Sequence, residues 1–597
     1  MCGIAAIFSS SGPARPIDLK HLKHRGPDGS GDWTSPDGRL WLGHRRLAIV
    51  DLSSAGAQPM LDPVSGNVIV FNGEIYNHLE LRRQMSGEDL RWVGTSDTET
   101  LLAGYRLWGE ALLLKLKGMF AFVIFDKARN CLFVARDPLG IKPLYFEVSN
   151  DAVRFASEIR ALVAGTGRKC APDGVSGFLQ WGSCPEQEFL FPEIKMLSAG
   201  HRMIVEANGA IARQCFWPAK SFVQYPGADV PAHVRTLLKR AVEEHLMADV
   251  PVASFLSGGI DSSIVSALAA QALGGAKLQT FSVGFPHAQF DETSVAAEVA
   301  RRYKTDHHRI EVSDEEVIVL VQEAVGKLDV PSVDAINTYI VSKKVAEQGI
   351  KVALSGLGAD ELFGGYPSFR DAPWLHLLAS IPQAIRRLGA GFGKMGARLA
   401  DLPSDDLMEI AIWRRRLWSD AMLRGAGLPV SDLKTDAPPK LRDDFARISW
   451  AELSVYMRQM LLRDSDQMSM AVSLELRVPF LDLELVEYAL SLPESEKTRY
   501  RIPKGLLVEG CRDLLPEQVY NRPKMGFSLP MDLWMRGPLS AFVGAGLDEV
   551  EAAKLLAPGA VGKVRVRFER HQIHWTRMWS LVILGHYLKK IGSMEAA

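Results

Sequence analysis

Hydrophobic positions in the first third of the chain come in short runs separated by turn residues. Leu40–Leu42, Val68–Phe71, Phe120–Phe125, Leu132–Ala135 and Leu144–Phe146 are apolar, and Pro36-Asp37-Gly38 and Ser65-Gly66-Asn67 punctuate them. Runs of this length bounded by Gly, Pro, Asn and Asp predict strands and hairpins. Thr98–Trp108 instead carries apolar residues at helical spacing, with Ser96-Asp97 ahead of it as a cap. From Trp217 to Pro231 the composition turns to Pro, Gly and polar residues, which marks a linker. Beyond it the rhythm changes. Val234–Met247 is amphipathic at helical spacing, Val250–Leu256 reads as a strand and Ser262–Leu273 as a helix. Leu278–Phe285 and Val352–Leu354 read as further strands. Strands alternating with helices predict a parallel, doubly wound sheet. Roughly the last 150 residues are helical in pattern. The pattern therefore predicts an α+β domain over 1–215 and an α/β domain with a parallel sheet and a helical C-terminal part over 216–597.

Composition narrows the class. Hydrophobic residues make up 47% and charged residues 23% of the 597, which is ordinary for a globular protein with large cores. The net charge of -1 gives no global field toward nucleic acid or an anionic membrane. No uncharged apolar run reaches the ~18 residues of a membrane span. The stretch Ala111–Phe125 is broken by Lys115 and Lys117. The six cysteines show no C-x-x-C spacing, which argues against a zinc site and a disulfide framework and fits a reducing cytoplasm.

Three local patterns carry chemistry. The chain begins Met1-Cys2-Gly3-Ile4. With Met1 removed, Cys2 would hold a thiol and a free α-amine, whose pKa of roughly 7.7–8.0 lets it act as a base near neutrality. Ser257-Gly258-Gly259-Ile260-Asp261-Ser262-Ser263 follows the predicted strand Val250–Leu256 and opens a helix. A strand, a glycine-rich turn and a helix N-terminus together cradle phosphate, because free N–H groups and the helix dipole favour an anion. The loop lacks the lysine of G-x-x-x-x-G-K-[ST]. Ser355-Gly356-Leu357-Gly358-Ala359-Asp360-Glu361 stands at the end of another predicted strand. Ligands of open α/β sheets gather at the carboxyl ends of strands, and Asp261 and Asp360 suit Mg²⁺ held against phosphates.

S-G-G-x-D-S resembles the loop of the pyrophosphatase-loop (PP-loop) ATPases, which release pyrophosphate from ATP. Combined with the Cys2 terminus, it resembles the glutamine-hydrolysing asparagine synthetase family over essentially the whole chain. The first half adds His24-Arg25-Gly26-Pro27-Asp28-Gly29, His44-Arg45-Arg46-Leu47-Ala48-Ile49-Val50-Asp51, Phe71-Asn72-Gly73-Glu74-Ile75-Tyr76-Asn77 and Ser96-Asp97-Thr98-Glu99. The second adds Arg463-Asp464-Ser465-Asp466-Gln467-Met468-Ser469-Met470, Arg477-Val478-Pro479-Phe480-Leu481-Asp482 and Arg522-Pro523-Lys524.

The resemblance implies a layered αββα N-terminal-nucleophile glutaminase followed by a PP-loop synthetase. Cys2 would attack the glutamine amide, giving a thioester and ammonia. Asn72 and the Gly73 N–H would form the oxyanion hole, though Asn-Gly also suits a hairpin turn. Arg46, Ile49, Val50, Asn72, Gly73, Glu74 and Asp97 would hold glutamine, with Arg46 on its carboxylate. Asp97 also suits a helix cap. Leu256, Ser257, Gly258, Gly259, Asp261, Ser262, Val283, Ser355 and Gly356 would bind ATP, although Val283 also reads as plain strand core. Glu361 and Lys524 would act at the acyl-adenylate, and Asp261 and Asp360 would hold Mg²⁺. The partners implied are L-glutamine, ATP and a carboxylate acceptor, aspartate by preference, in a cytoplasmic homodimer without nucleic acid or membrane. The same chemistry on a uronic acid or peptide carboxylate is the alternative. The segment Asp329–Tyr339, ahead of the second ATP motif, is where acceptor contacts are expected.

Overall fold

A computed structural model describes the chain apart from residues 1, 88–89, 218–228, 285–292, 389–401, 404–405, 432, 434–437, 501, 522–528 and 597. Twelve strands precede residue 217: Gly3–Ser9 (β1), Gly29–Thr34 (β2), Leu40–Arg46 (β3), Met60–Leu61 (β4), Val68–Ile75 (β5), Gly118–Asp126 (β6), Cys131–Arg136 (β7), Tyr145–Val148 (β8), Ala152–Ala156 (β9), Ile194–Met196 (β10), His201–Val205 (β11) and Ile211–Cys215 (β12). They form two six-stranded sheets in the orders β10-β8-β9-β1-β3-β2 and β12-β11-β7-β6-β5-β4. Alternation along the strands stacks these sheets, because successive side chains point to opposite faces. Ile4, Ala6 and Phe8 of β1 meet Val68 and Val70 of β5 and Ala121 and Val123 of β6 between the sheets. Ala5 and Ile7 pack outward against Val175, Phe178 and Leu179 of the helix Pro172–Trp181. On the other side Ile69 and Phe71 face Leu101, Leu102 and Tyr105 of the helix Asp97–Trp108. Helices thus cover both outer faces of a two-sheet core.

The third sheet is parallel: Val252–Phe255 (β13), Gln279–Gly284 (β14), Asp306–Glu311 (β15), Val352–Leu354 (β16) and Glu475–Arg477 (β17), in the order β15-β14-β13-β16-β17. One face packs on the helix Ile260–Ala272 through Ile264, Val265 and Leu268. The other buries Ala253, Phe281 and Ala353 with Val345 of the helix Ile336–Ala346. After β17 every described element is a helix. No described helix is long and apolar enough to cross a membrane, and no disulfide joins any of the six cysteines.

Three sequence readings shift. The helix expected from Val234 begins at Val230, because Asp229 accepts from the Ala232 N–H at 3.3 Å and Pro231 suits the first turn. Ser96, not Asp97, caps the helix Asp97–Trp108, taking the Thr98 N–H at 3.1 Å. Asn72-Gly73 is no hairpin turn: it lies inside β5, paired with Ala121 and Phe120 of β6. Most of the expected linker, 218–228, lies outside the described residues.

Candidate active sites

The first site opens at the start of β1. The Cys2 backbone N–H donates to Asn72 Oδ1 at 3.0 Å, so the terminus is pinned to β5. The Cys2 carbonyl accepts from Arg25 Nε at 3.1 Å. Arg25 is fully buried and pairs with Asp466 at 2.7 Å and Glu158 at 3.0 Å. A small cavity beside Cys2 is lined by Arg46, Ile49, Val50, Gly73, Glu74 and Asp97, all expected there, and by Glu475. A Cβ added to Gly73 would stand 2.1 Å from the Met119 carbonyl oxygen, so only glycine lets β5 approach β6 this closely.

Electrostatics in this cavity are set by burial. It pushes the Cys2 thiol up. It pushes Asp97 up to about 6, while the Ile75 N–H, donating to Asp97 Oδ2 at 2.9 Å, works the other way. Burial and the charge of Asp97 raise Glu74 well above the usual carboxylate range. Arg46 lines the cavity but also donates to the carbonyls of Ser53 at 2.7 Å and of Asp51. A pocket with an arginine and several carboxylates is complementary to a small zwitterion.

The second site lies at the carboxyl ends of β13 and β16. Gly258 adopts φ +82°, which glycine takes without strain. The loop is closed by Ser257 and Ser262, whose hydroxyls are 3.0 Å apart. Gly356 brings the second motif onto the first: a Cβ there would be 2.8 Å from Asp261 Cβ and 2.9 Å from the Ser262 nitrogen. Leu256 is buried and Val283 half-buried on β14. Lys504, which the sequence reading missed, bridges the motifs. Its Nζ lies 2.5 Å from Asp261 and 2.6 Å from Asp360. Burial opposes its charge, yet the two aspartates hold its pKa above the ordinary lysine value. Two carboxylates converging on one cationic nitrogen fit a divalent cation with phosphate oxygens completing its shell. Among the described residues no third His, Cys, Asp or Glu joins them. Lys524 lies outside the described residues.

Glu361 is fully buried beside this loop and accepts from Tyr366 Oη at 2.7 Å. Burial and the charge of Asp360 push it up to about 8. Arg415 stacks over Tyr366 at 4.5 Å and Tyr456 at 3.7 Å, and Tyr456 reaches Asp334 at 3.2 Å. Most of the segment Asp329–Tyr339 does other work. Asp329 receives the Ile159 N–H at 2.7 Å, and Ser332 donates to Asp464 at 2.5 Å. Asp334 is tied to this aromatic cluster through Tyr456. Lys504 is announced by no motif, and only the fold brings it to the loop.

Comparison with known proteins agrees with this arrangement. The family model described as Glutamine amidotransferase domain matches residues 1–217, and that described as Asparagine synthase matches 233–589. The chain is 33% identical to asparagine synthetase [glutamine-hydrolyzing] 1 of Bacillus subtilis, over 91% of this chain and 89% of that protein. It is 32% identical to a putative asparagine synthetase [glutamine-hydrolyzing] of Mycobacterium tuberculosis, over 98% and 96%. Amidase chry2 of Gibberella zeae is 29% identical over 90% of each chain. The chain belongs to the family of glutamine-hydrolysing asparagine synthetases.

Proposed function

We propose that this chain transfers the amide nitrogen of glutamine to a carboxylate at the expense of ATP, with L-aspartate as the preferred acceptor. Residues 1–215 form the N-terminal-nucleophile glutaminase and 216–597 the synthetase. The observation that carries the reading is the pairing, in one chain, of a Cys2 cavity with an Asp261–Lys504–Asp360 cluster at a phosphate loop. Cys2 Sγ attacks the glutamine amide carbon. Asn72 and the Gly73 N–H face the oxygen on which negative charge builds, Arg46 takes the α-carboxylate, and Asp97 and Glu74 take the α-ammonium. The α-amine freed by removal of Met1 accepts the thiol proton.

In the synthetase half Leu256, Ser257, Gly258, Gly259, Ser262, Ser355 and Gly356 cradle the nucleotide, and Val283 meets its base. Asp261 and Asp360 would hold Mg²⁺, which supplies charge neutralisation on the departing pyrophosphate. The acceptor carboxylate attacks the α-phosphate to give an acyl-adenylate, and ammonia then displaces AMP. Lys524 is assigned to the developing charge and Glu361 to the proton released by ammonia. Its pKa of about 8 makes the ionised fraction a stronger base than an ordinary carboxylate, and that fraction grows as pH rises toward 8. The amidase-named relative supports the second reading, in which the acceptor is another carboxylate.

Cys2→Ala tests the first half: ammonia should still drive amide formation, and glutamine should not. Continued glutamine-driven synthesis would show the nucleophile misassigned. A panel of carboxylates scored by AMP release tests the second half, and aspartate giving no AMP would sink the preferred acceptor.

A further inference from the structure

The glutamine cavity is not built from residues 1–217 alone. Glu475, far outside that region and on the parallel sheet, lines it beside Cys2. Burial works against its ionised form, but nearby positive charge, that of Arg477 and Lys142 included, holds its pKa below the usual range. Arg477, two residues on, is fully buried. Its Nε binds Glu475 at 2.6 Å and its Nη2 binds Glu74 at 3.0 Å. Its Nη1 donates to the carbonyls of His245 at 2.7 Å and Met247 at 2.6 Å. Every guanidinium nitrogen therefore has a partner.

Desolvating this many charges is costly, and a well-packed apolar cluster is often as stable or more so. Such a network is better explained by what it fixes in place. At one end it fixes Glu74 of the glutamine cavity. At the other, the Arg477 carbonyl accepts from the Ser355 N–H at 2.8 Å, the first residue of the second ATP motif. Leu354 and Arg477 are register partners in β16 and β17. The preceding helix Leu462–Met470 adds a second grip, since its Asp466 holds Arg25, which holds the Cys2 carbonyl.

We propose that Glu475 and Arg477 are positioning residues of the glutamine site, contributed by the synthetase half: Glu475 orients the chain-terminal Cys2, and Arg477 fixes Glu74 against bound glutamine. The glutaminase is thereby completed by the strand that abuts the ATP motif. The Arg477 side chain is held among Glu74, Glu475 and two backbone carbonyls, and Glu475 lines the Cys2 cavity, so their loss is expected to be felt by glutamine use and not by ammonia use.

The inference rests on the glutamine-driven reading above; wild-type protein that hydrolyses no glutamine fails that reading before any variant is compared. In full-length protein lacking Met1, Glu475→Gln is expected to lower kcat for glutamine hydrolysis about tenfold with KM within about twofold. Arg477→Lys keeps the charge but cannot hold Glu74 and Glu475 together, so KM for glutamine is expected to rise about tenfold. Ammonia-driven amidation, with the same ATP and acceptor, should stay within about twofold of wild type in both and reports that the chain is folded. Should Glu475→Gln lose both activities, Arg477→Lys decides. Equal loss of glutamine and ammonia use in Arg477→Lys, or unchanged glutamine kinetics in both variants, would overturn the proposal.

Discussion

Lys504→Met removes the ammonium between Asp261 and Asp360 while keeping most of the side-chain volume. The lysine side chain is 4% exposed, and those of Asp261 and Asp360 are 20% and 17% exposed. Stripping one partner from a buried ion pair costs about 3–5 kcal/mol, because a desolvated charge is left uncompensated. Water still reaches both aspartates, so the lower end applies, about 3 kcal/mol. A divalent cation should recover most of this. Binding only the folded state at a hundredfold excess over Kd stabilises by about 2.7 kcal/mol. Urea unfolding followed by tryptophan fluorescence, without nucleotide, should show the variant weakened in EDTA and largely restored by millimolar Mg²⁺. Wild type should respond less, since its own ammonium competes for the same carboxylates. AMP formation should fall with either nitrogen donor. A variant as stable as wild type in EDTA, with the same response to Mg²⁺, would refute the argument that these carboxylates form a cation site.

Gly356→Ala forces a methyl against the Asp261 Cβ and the Ser262 nitrogen, atoms that cannot swing aside without moving the main chain. It should cost about 1–3 kcal/mol and cut AMP formation while glutamine hydrolysis persists, measured by glutamate release. Gly73→Ala should do the reverse, since its methyl meets the Met119 carbonyl and displaces β5 at the Cys2 cavity. Ammonia-driven AMP formation is the control. Glu361 carries a folded-state pKa of about 8 against a reference of 4.5, so the folded protein keeps a proton that the unfolded chain has lost. Wild-type stability therefore falls as pH rises between those values and levels off above about 8. Glu361→Gln should gain stability relative to wild type across that window, read by urea midpoints at pH 5 and pH 8, while losing amidation. A midpoint difference that does not grow with pH would contradict the buried, protonated carboxyl.

Local sequence rules determined much of this protein. Short apolar runs with turn punctuation marked β3, β5, β6, β7 and β8 of the first two sheets, because strand alternation and turn chemistry act over a few residues. The SGGxDSS loop was legible because a strand end, a glycine at positive φ and a helix start are neighbours in the chain. Cys2, Gly73, Glu74 and Asp97 line one cavity, and Asn72 takes the Cys2 N–H beside it. Tertiary structure decided what depends on distant pairing. It placed Asn72-Gly73 within a strand, where the dipeptide alone also suited a turn. It tied Asp329 to the Ile159 N–H and the Val333 N–H to the Gly182 carbonyl, contacts across the two halves that no local pattern signals. It brought Lys504 to two aspartates, Glu475 to the wall of the Cys2 cavity and Arg477 to Glu74, some four hundred residues earlier in the chain. A buried charge is stabilised by whichever opposite charge the fold brings near, and no local pattern announces a partner so remote.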